Sequence, residues 1–482
     1  MLPGDIATKE TVIVNLKSKP VHLVVIGGGM AGLVAAVRGV EAGMKVTLVE
    51  KGATDQYPCN ARMSGGLFHL GFSDVSLPPD ELVSIIETRT GGATDPQLAT
   101  TLARGGLALV DWLRGHGVRF MRPPSPWQFW TAAPPRSLGP GQDWKGRGPD
   151  VLLRQLALAF RKLGGTMLMQ TTITGLRMTQ GRCHGVDGVG PSGAMQIDAD
   201  AVIICDGGFQ GNLEMLREHV SPAPERLKQR GASTGTGDGL RMAMAVGAAT
   251  SRLDSFYGHL LSRDAMTNDN LWPYPELDAL AVSGILVNAE GTRFADEGRG
   301  GIYLANSVAR LSDPLSATIV IDATIWATAG RAARIPANPH IVNGGATIHQ
   351  ASDIAGLATK AGLPREQLEQ TVRTHNDAVR RSSLNELSPA RTPGLRPAAP
   401  IAQAPFMAIP VCAGITYTMG GIRVNEHAQV LKTNGEPIEG LYAAGTAVGG
   451  VDGGDFCGYV GGLVSSGVLA TAAVEAVGKR VA

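Results

Sequence analysis

The chain has 482 residues, enough for two or three domains, and its 44% hydrophobic content can fill a large core. Lys and Arg number 43 against 42 Asp and Glu, leaving a net charge of +1, so no global field favours nucleic acid or an anionic membrane. The five cysteines (Cys59, Cys183, Cys205, Cys412, Cys457) are scattered without a C-x-x-C pair, and no apolar run is long enough to span a bilayer. The first twenty residues carry no signal-peptide core. A reduced, cytoplasmic protein is expected, with no membrane span and no structural zinc or iron–sulfur cluster of its own.

The stretch from Val21 to Lys51 organises the rest of the chain. Leu23 to Ile26 reads as a strand buried on both faces, and Gly27, Gly29 and Gly32 then stand at the spacing G-x-G-x-x-G. An Ala- and Val-rich helix runs to Gly43, and a second strand, Lys45 to Val49, ends on Glu50. Gly27 permits the strand-to-helix turn, Gly29 lets the backbone approach a pyrophosphate, and Gly32 allows close helix–strand packing. The helix start turns N–H groups and its positive end toward phosphates, while Glu50 can accept hydrogen bonds from a ribose diol. Strand, glycines, helix, strand and acid together specify a dinucleotide site.

Beyond Glu50, Asn60 to Gly66 sets small and polar residues ahead of a double glycine, suited to a backbone close to a ligand. Asp80 to Arg89 and Pro96 to His116 read as helices, and Arg122 to Pro149 as a long irregular excursion carrying Trp127, Trp130 and Trp144. Such a loop is either a surface flap or a substrate lid. A helix from Asp150 to Leu163, β patterns from Thr166 to Val189 and a buried strand Ala199 to Ile204 lead to Cys205-Asp206-Gly207-Gly208. Gly235 to Gly239 precedes another helix. Near Ser255 the strand–helix alternation is lost. Helices are expected at Ile354 to Lys360 and Arg365 to Arg381, followed by a Pro-rich linker from Ser388 to Pro405. The α/β grammar returns with Leu441 to Gly445 and a helix from Gly461 to Gly478. The expected fold is α/β: a Rossmann-type dinucleotide-binding domain, residues 1–255 and 416–482, interrupted by an inserted α+β capping domain, residues 256–415.

The opening fingerprint, C-D-G-G after a strand, G-T-G-D-G before a helix, GTRFADE, TYTMGG and GLYAAG together resemble the fumarate reductase/succinate dehydrogenase flavoprotein family. The closest flavour is its soluble members, tricarballylate dehydrogenase-like proteins and 3-ketosteroid dehydrogenases. The resemblance runs from about residue 21 to 475. It implies FAD as the dinucleotide, with Gly27, Gly29, Gly32 and Glu50 on its ADP half. Asn60, Ser64, Gly65 and Gly66 should line the pyrophosphate and flavin edge, with Gly207 and Gly208 nearby. Gly445, Gly462 and Ser465 should face the pyrimidine end, where a helix N-terminus favours the charge of reduced flavin. Membrane-bound relatives bond FAD covalently through a histidine. Cys59 stands at or beside that place here, and non-covalent FAD is expected.

The family moves a hydride between flavin and one carbon of a C–C bond while a protein group exchanges a proton at the next carbon. Its dicarboxylate-using members hold substrate with two histidines and two arginines. His259 matches the first histidine, but Thr416 replaces the second in Thr416-Tyr417-Thr418-Met419-Gly420-Gly421. The proton-transfer arginine should fall four residues after Glu297, where Gly301 stands, and the last arginine is missing from Val451 to Leu463. A ketone, enone or monoacid therefore fits better than fumarate or succinate. Tyr303, Arg299, His259, Tyr417 and Thr416 are the candidates for the chemistry. The resemblance implies a desaturase acting α,β to a carbonyl, a reductase of the corresponding enone or enoate, or a non-catalytic flavoprotein subunit. No nicotinamide domain is visible, so a quinone or redox protein should exchange the electrons.

Overall fold

The structure, a computed structural model, describes residues 20–122, 129–136, 143–333, 335–394 and 396–481. Trp127, in the irregular excursion, lies outside them.

Strand β1 (His22–Ile26) sits in the middle of a nine-stranded sheet. It runs parallel to β2 (Lys45–Val49) on one side and to Ala201–Ile204 on the other, with Val25 level with Leu48 and Ile203. Leu23, Val24 and Val25 are wholly buried, as a parallel strand covered on both faces requires. Each such side chain contributes roughly 1.5–3 kcal/mol of transfer free energy. Pro437–Ala443 extends the parallel set beyond Ala201–Ile204. An antiparallel meander, Thr172–Thr179, Arg182–Gly190 and Gly193–Asp198, finishes that side.

Helix α1 (Met30–Glu41) follows β1 directly. Its apolar residues from Met30 to Val37 are buried, and it packs against the last helix, Gly462–Val481, and against Gly148–Lys162. The N-terminus of α1 therefore stands at the carboxyl ends of β1 and Ala201–Ile204, the crevice position for ligands in open α/β sheets. The helices expected at Asp80–Arg89, Pro96–His116 and Arg365–Arg381 are present, shifted by at most a residue or two at their ends.

A second, six-stranded sheet is built on the long strand Phe406–Thr418. Phe256–Ser262, Thr318–Ile321 and His349–Ala351 pair with it antiparallel, and Lys228–Gln229 pairs parallel. This sheet ignores the boundary suggested by the composition shift. It takes a strand from before Ser255 and runs on to Thr418, because hydrogen bonding across strands does not follow sequence order. The Pro-rich stretch is also more tightly held than a linker: Arg391 within it is buried and donates to the carbonyl oxygens of Gly284 and Val282. Among the described residues no helix is long and apolar enough to cross a membrane.

Candidate active site

A cleft of ≈ 1700 Å³, counted to its open mouth, runs past the start of α1 and ends between the two sheets. Its first wall is backbone. Gly27 has φ +96°, and a Cβ there would lie 2.7 Å from the Cys205 carbonyl oxygen. A Cβ on Gly32 would lie 1.8 Å from the Gly27 oxygen, so only glycine permits this helix to sit so close to its strand. A Cβ on Gly29 would meet nothing within 4 Å. That backbone faces the open cleft, beside N–H groups that have no intrahelical acceptor. Glu50 is pinned at the cleft edge by N–H donors from Gly28 (2.8 Å) and Gly52 (2.7 Å), and each oxygen keeps a lone pair. Tyr57 donates to the Gly28 oxygen at 2.5 Å and buttresses the turn.

The opposite wall is made of side chains. Tyr257 and Tyr459 stack with ring centroids 4.0 Å apart, and Tyr417 tilts against Tyr257 at 5.4 Å. Tyr417 donates its phenol proton to Asp452 Oδ2 at 2.9 Å, while Val460 N–H donates to Oδ1 at 2.6 Å. Burial pushes the Asp452 carboxyl up to about 6 despite these two donors. Burial, then the Asp452 charge, holds the Tyr417 phenol well above its ordinary value, so it stays protonated. Asp452 also borders a second recess with Arg252, Ser255 and Arg299, and so stands between the main cleft and another opening. Gly462 N–H donates to the Tyr459 oxygen at 3.1 Å, and the Tyr459 proton has no acceptor among the described residues.

A bulge between Tyr257 and Gly258 re-aims this end of the strand. Behind Tyr257, His259 Nδ1 is 2.6 Å from Asp278 Oδ2, and its Nε2 is 3.1 Å from the Tyr257 hydroxyl. The same Nε2 lies 3.3 Å from Glu276 Oε1. His259, Glu276 and Asp278 bring ligand atoms within 4.8 Å of one another, but Glu276 is already neutralised by Arg230 at 2.7 Å. Arg230 also donates to Thr416 Oγ1 at 3.2 Å. His69, on the cleft wall, is pushed down to about 3 by burial and is neutral. Its Nδ1 accepts from Phe72 N–H at 3.1 Å, so the ring proton sits on Nε2.

Comparison with known proteins identifies the family. A family model described as "FAD binding domain" matches residues 22–457. The chain belongs to that family. FAD is its cofactor. It is 27% identical over 468 residues to an NADH:fumarate oxidoreductase of Klebsiella pneumoniae, covering 94% of this chain but 47% of that protein, so it spans about half the length of that relative. It is 26% identical over 471 residues to a vinyl phenol reductase of Lactiplantibacillus plantarum, covering 89% of this chain and 90% of that one. In fold it is similar to the 3-ketosteroid-Δ4-(5α)-dehydrogenase of Rhodococcus jostii RHA1, with a TM-score of 0.71 and 21% identity over 97% of this chain and 99% of that one.

The first wall fits the cofactor. Open backbone at Gly29, a helix N-terminus and an acid at the far edge are the donors and acceptor that a pyrophosphate and a ribose require. Asn60, Ser64, Gly65, Gly66, Gly207, Gly445 and Gly462 also line the cleft. Gly208 and Ser465 do not. A Cβ on Gly208 would lie 2.3 Å from Thr418 Oγ1, so that glycine serves packing. Ser465 turns its hydroxyl back to the Gly461 carbonyl, and the next residue, Ser466, lines the cleft instead. Asn60 ties the two walls together, donating to Thr416 O at 3.0 Å and accepting from Ala232 N–H at 2.6 Å.

Of the residues suggested for the chemistry, Tyr417 and Thr416 line the cleft, and His259 stands one layer behind, through Tyr257. Tyr303 and Arg299 are not among the lining residues. The Arg299 guanidinium stacks over Tyr303 at 5.2 Å and Phe456 at 5.0 Å, and it pairs with Asp296. Sequence reading passed over Arg136, Arg230, Glu276 and Tyr274, all of which line the cleft. Only the Pro- and Trp-rich character of the excursion holding Arg136 pointed that way.

Proposed function

We propose that the protein acts on the C–C bond α,β to a carbonyl, desaturating a ketone or organic acid or running the same chemistry in reverse on the enone or enoate. Bound FAD supplies the two-electron acceptor or donor for the hydride. The observation that carries the reading is the Tyr417–Asp452 pair, a protonated phenol on the cleft wall hydrogen-bonded to a carboxyl pushed up to about 6. In desaturation Tyr417 takes the proton from the α carbon as its own passes to Asp452. In reduction both transfers reverse, so one pair serves either direction. Tyr459, with its proton free toward the cleft, donates to the substrate's carbonyl oxygen as negative charge develops there. Asp278 and His259 hold Tyr257, and through its stack they hold Tyr459.

FAD is held without a covalent bond in this reading. Burial pushes the Cys59 thiol up to about 11, which disfavours the thiolate a linkage would need. Residues 256–415 act as a cap on the FAD-binding part; supporting this, Tyr257 and Glu276 line the same cleft as Gly29 and Gly462. Electrons pass to or from a quinone or redox protein, and the five free cysteines favour a reducing, cytoplasmic setting. The test is anaerobic. Dithionite-reduced holoprotein is mixed with 2-cyclohexenone and crotonate, and the oxidised flavin band is followed. Its return supports the reading, and a flavin that stays bleached with every such compound refutes it in favour of a non-catalytic subunit.

A further inference from the structure

We infer that Arg136 anchors a substrate carboxylate, which makes the substrate class a monocarboxylic acid with its reacting C–C bond next to the carboxyl group. This rests on the oxidoreductase reading above and narrows it.

Arg136 lies on the cleft wall and is 8% exposed. One nitrogen, Nη1, donates to the Met63 carbonyl oxygen at 2.9 Å and fixes the side chain. The other two, Nε and Nη2, are buried and have no partner among the described residues. Those two N–H groups share one edge of the guanidinium, the fork that matches both oxygens of a carboxylate. The charge is unmatched as well. Arg230, the other arginine of the cleft, is neutralised by Glu276, whereas no carboxylate stands within ion-pair reach of Arg136 among the described residues. Asp143 acts on it only from a distance and is itself held by Arg147 at 2.9 Å. A buried guanidinium with two idle donors and no counter-ion is costly, and a bound anion removes the cost.

The surroundings say how many anions fit. The Tyr274 ring lies 5.5 Å from the Arg136 guanidinium and 5.8 Å from that of Arg230, an apolar face between the two cations. The reacting wall beyond offers Tyr257, Tyr417 and Tyr459 and, among the described residues, no second unpaired cation. One carboxylate is therefore held, and the rest of the substrate meets aromatic rings.

The experiment titrates oxidised holoprotein with crotonate, cinnamate and the neutral isostere crotonamide, reading the flavin absorption spectrum, and repeats this in Arg136→Met and Arg136→Lys. The wild type should bind at least one acid tenfold or more tighter than the amide. Arg136→Met should weaken that acid by about 30- to 100-fold, the usual size of a lost charge-assisted fork, with Arg136→Lys in between and flavin content unchanged in both. A wild-type flavin indifferent to both acids, equal binding of acid and amide, or an unchanged Arg136→Met would overturn the inference. Loss of FAD from Arg136→Lys would overturn it too, by assigning the arginine to the cofactor. The oxidoreductase reading fails separately: arginine-dependent acid binding without any flavin reoxidation leaves the anchor and removes the reaction.

Discussion

The two walls of the cleft work with different materials. At the α1 end the ligand meets main-chain N–H groups, a helix terminus and one pinned carboxylate, all within about thirty residues of sequence. At the tyrosine wall it meets phenols, a carboxyl group and guanidinium groups drawn from Arg136, Arg230, Tyr257, Glu276, Tyr417 and Tyr459, which lie far apart along the chain. The first wall is held by steric necessity, since added atoms at Gly27 and Gly32 collide with backbone. The second is held by hydrogen bonds, Tyr417 to Asp452 and His259 to Asp278 and Tyr257. A wall of backbone tolerates one residue type at its tight points. A wall of side chains can exchange partners, so substrate choice can change while the cofactor seat stays.

Substitutions can set the walls against each other, and the largest effect belongs to the first. Gly32→Val places side-chain atoms where a Cβ alone already lies 1.8 Å from the Gly27 oxygen. We expect no flavin-loaded protein, read as loss of the yellow band, with overpacking of about 1–3 kcal/mol or more. Next is Asp452→Asn on the second wall. FAD should stay bound while turnover falls by about 10²–10³-fold, the usual scale for a proton-transfer group. Its pH dependence gives the sign. In desaturation Asp452 must be ionised to receive the proton, so the wild-type rate rises with pH through about 6, and in reduction it falls there. The Asn variant should lose that limb in both directions. Glu50→Ala is expected to weaken FAD by about 10- to 100-fold, one or two charge-assisted hydrogen bonds, measured by flavin release on dilution. Tyr303→Phe is the smallest. Its hydroxyl has no place on the cleft, so turnover should stay within about twofold of wild type, and a large loss would return Tyr303 to the chemistry.

The same contrast explains what could be read from sequence. The cofactor wall was legible because its function resides in spacing: three glycines, a helix and an acid at fixed offsets are enough to specify it. The helices Pro96–Gly115 and Arg365–Arg381 were legible from periodicity. The reacting wall was half legible. Tyr417 and Thr416 stood in a recognisable motif, yet Asp452, the partner of Tyr417, is 35 residues on and meets it only through the fold. Register misled where a motif serves stability. Arg293 and Glu297 form a buried ion pair, with Glu297 also accepting from Leu286 N–H, and counting on from that glutamate lands on Gly301, whose neighbours Arg299 and Tyr303 are not on the cleft. Arg136 gave no signal of its own, because an arginine in an irregular stretch carries no period or spacing, and only the Pro- and Trp-rich character of that stretch marked it.

Proton exchange at the tyrosine wall is the step on which the chemistry depends, and Tyr417→Phe probes it most directly. Reduced wild-type and variant holoproteins are mixed anaerobically with crotonate or 2-cyclohexenone and the return of oxidised flavin is timed. With Tyr417 as the proton-transfer group, FAD content is full in both and reoxidation is slowed by about 100-fold or more in the variant. Equal rates in the two proteins would contradict that role.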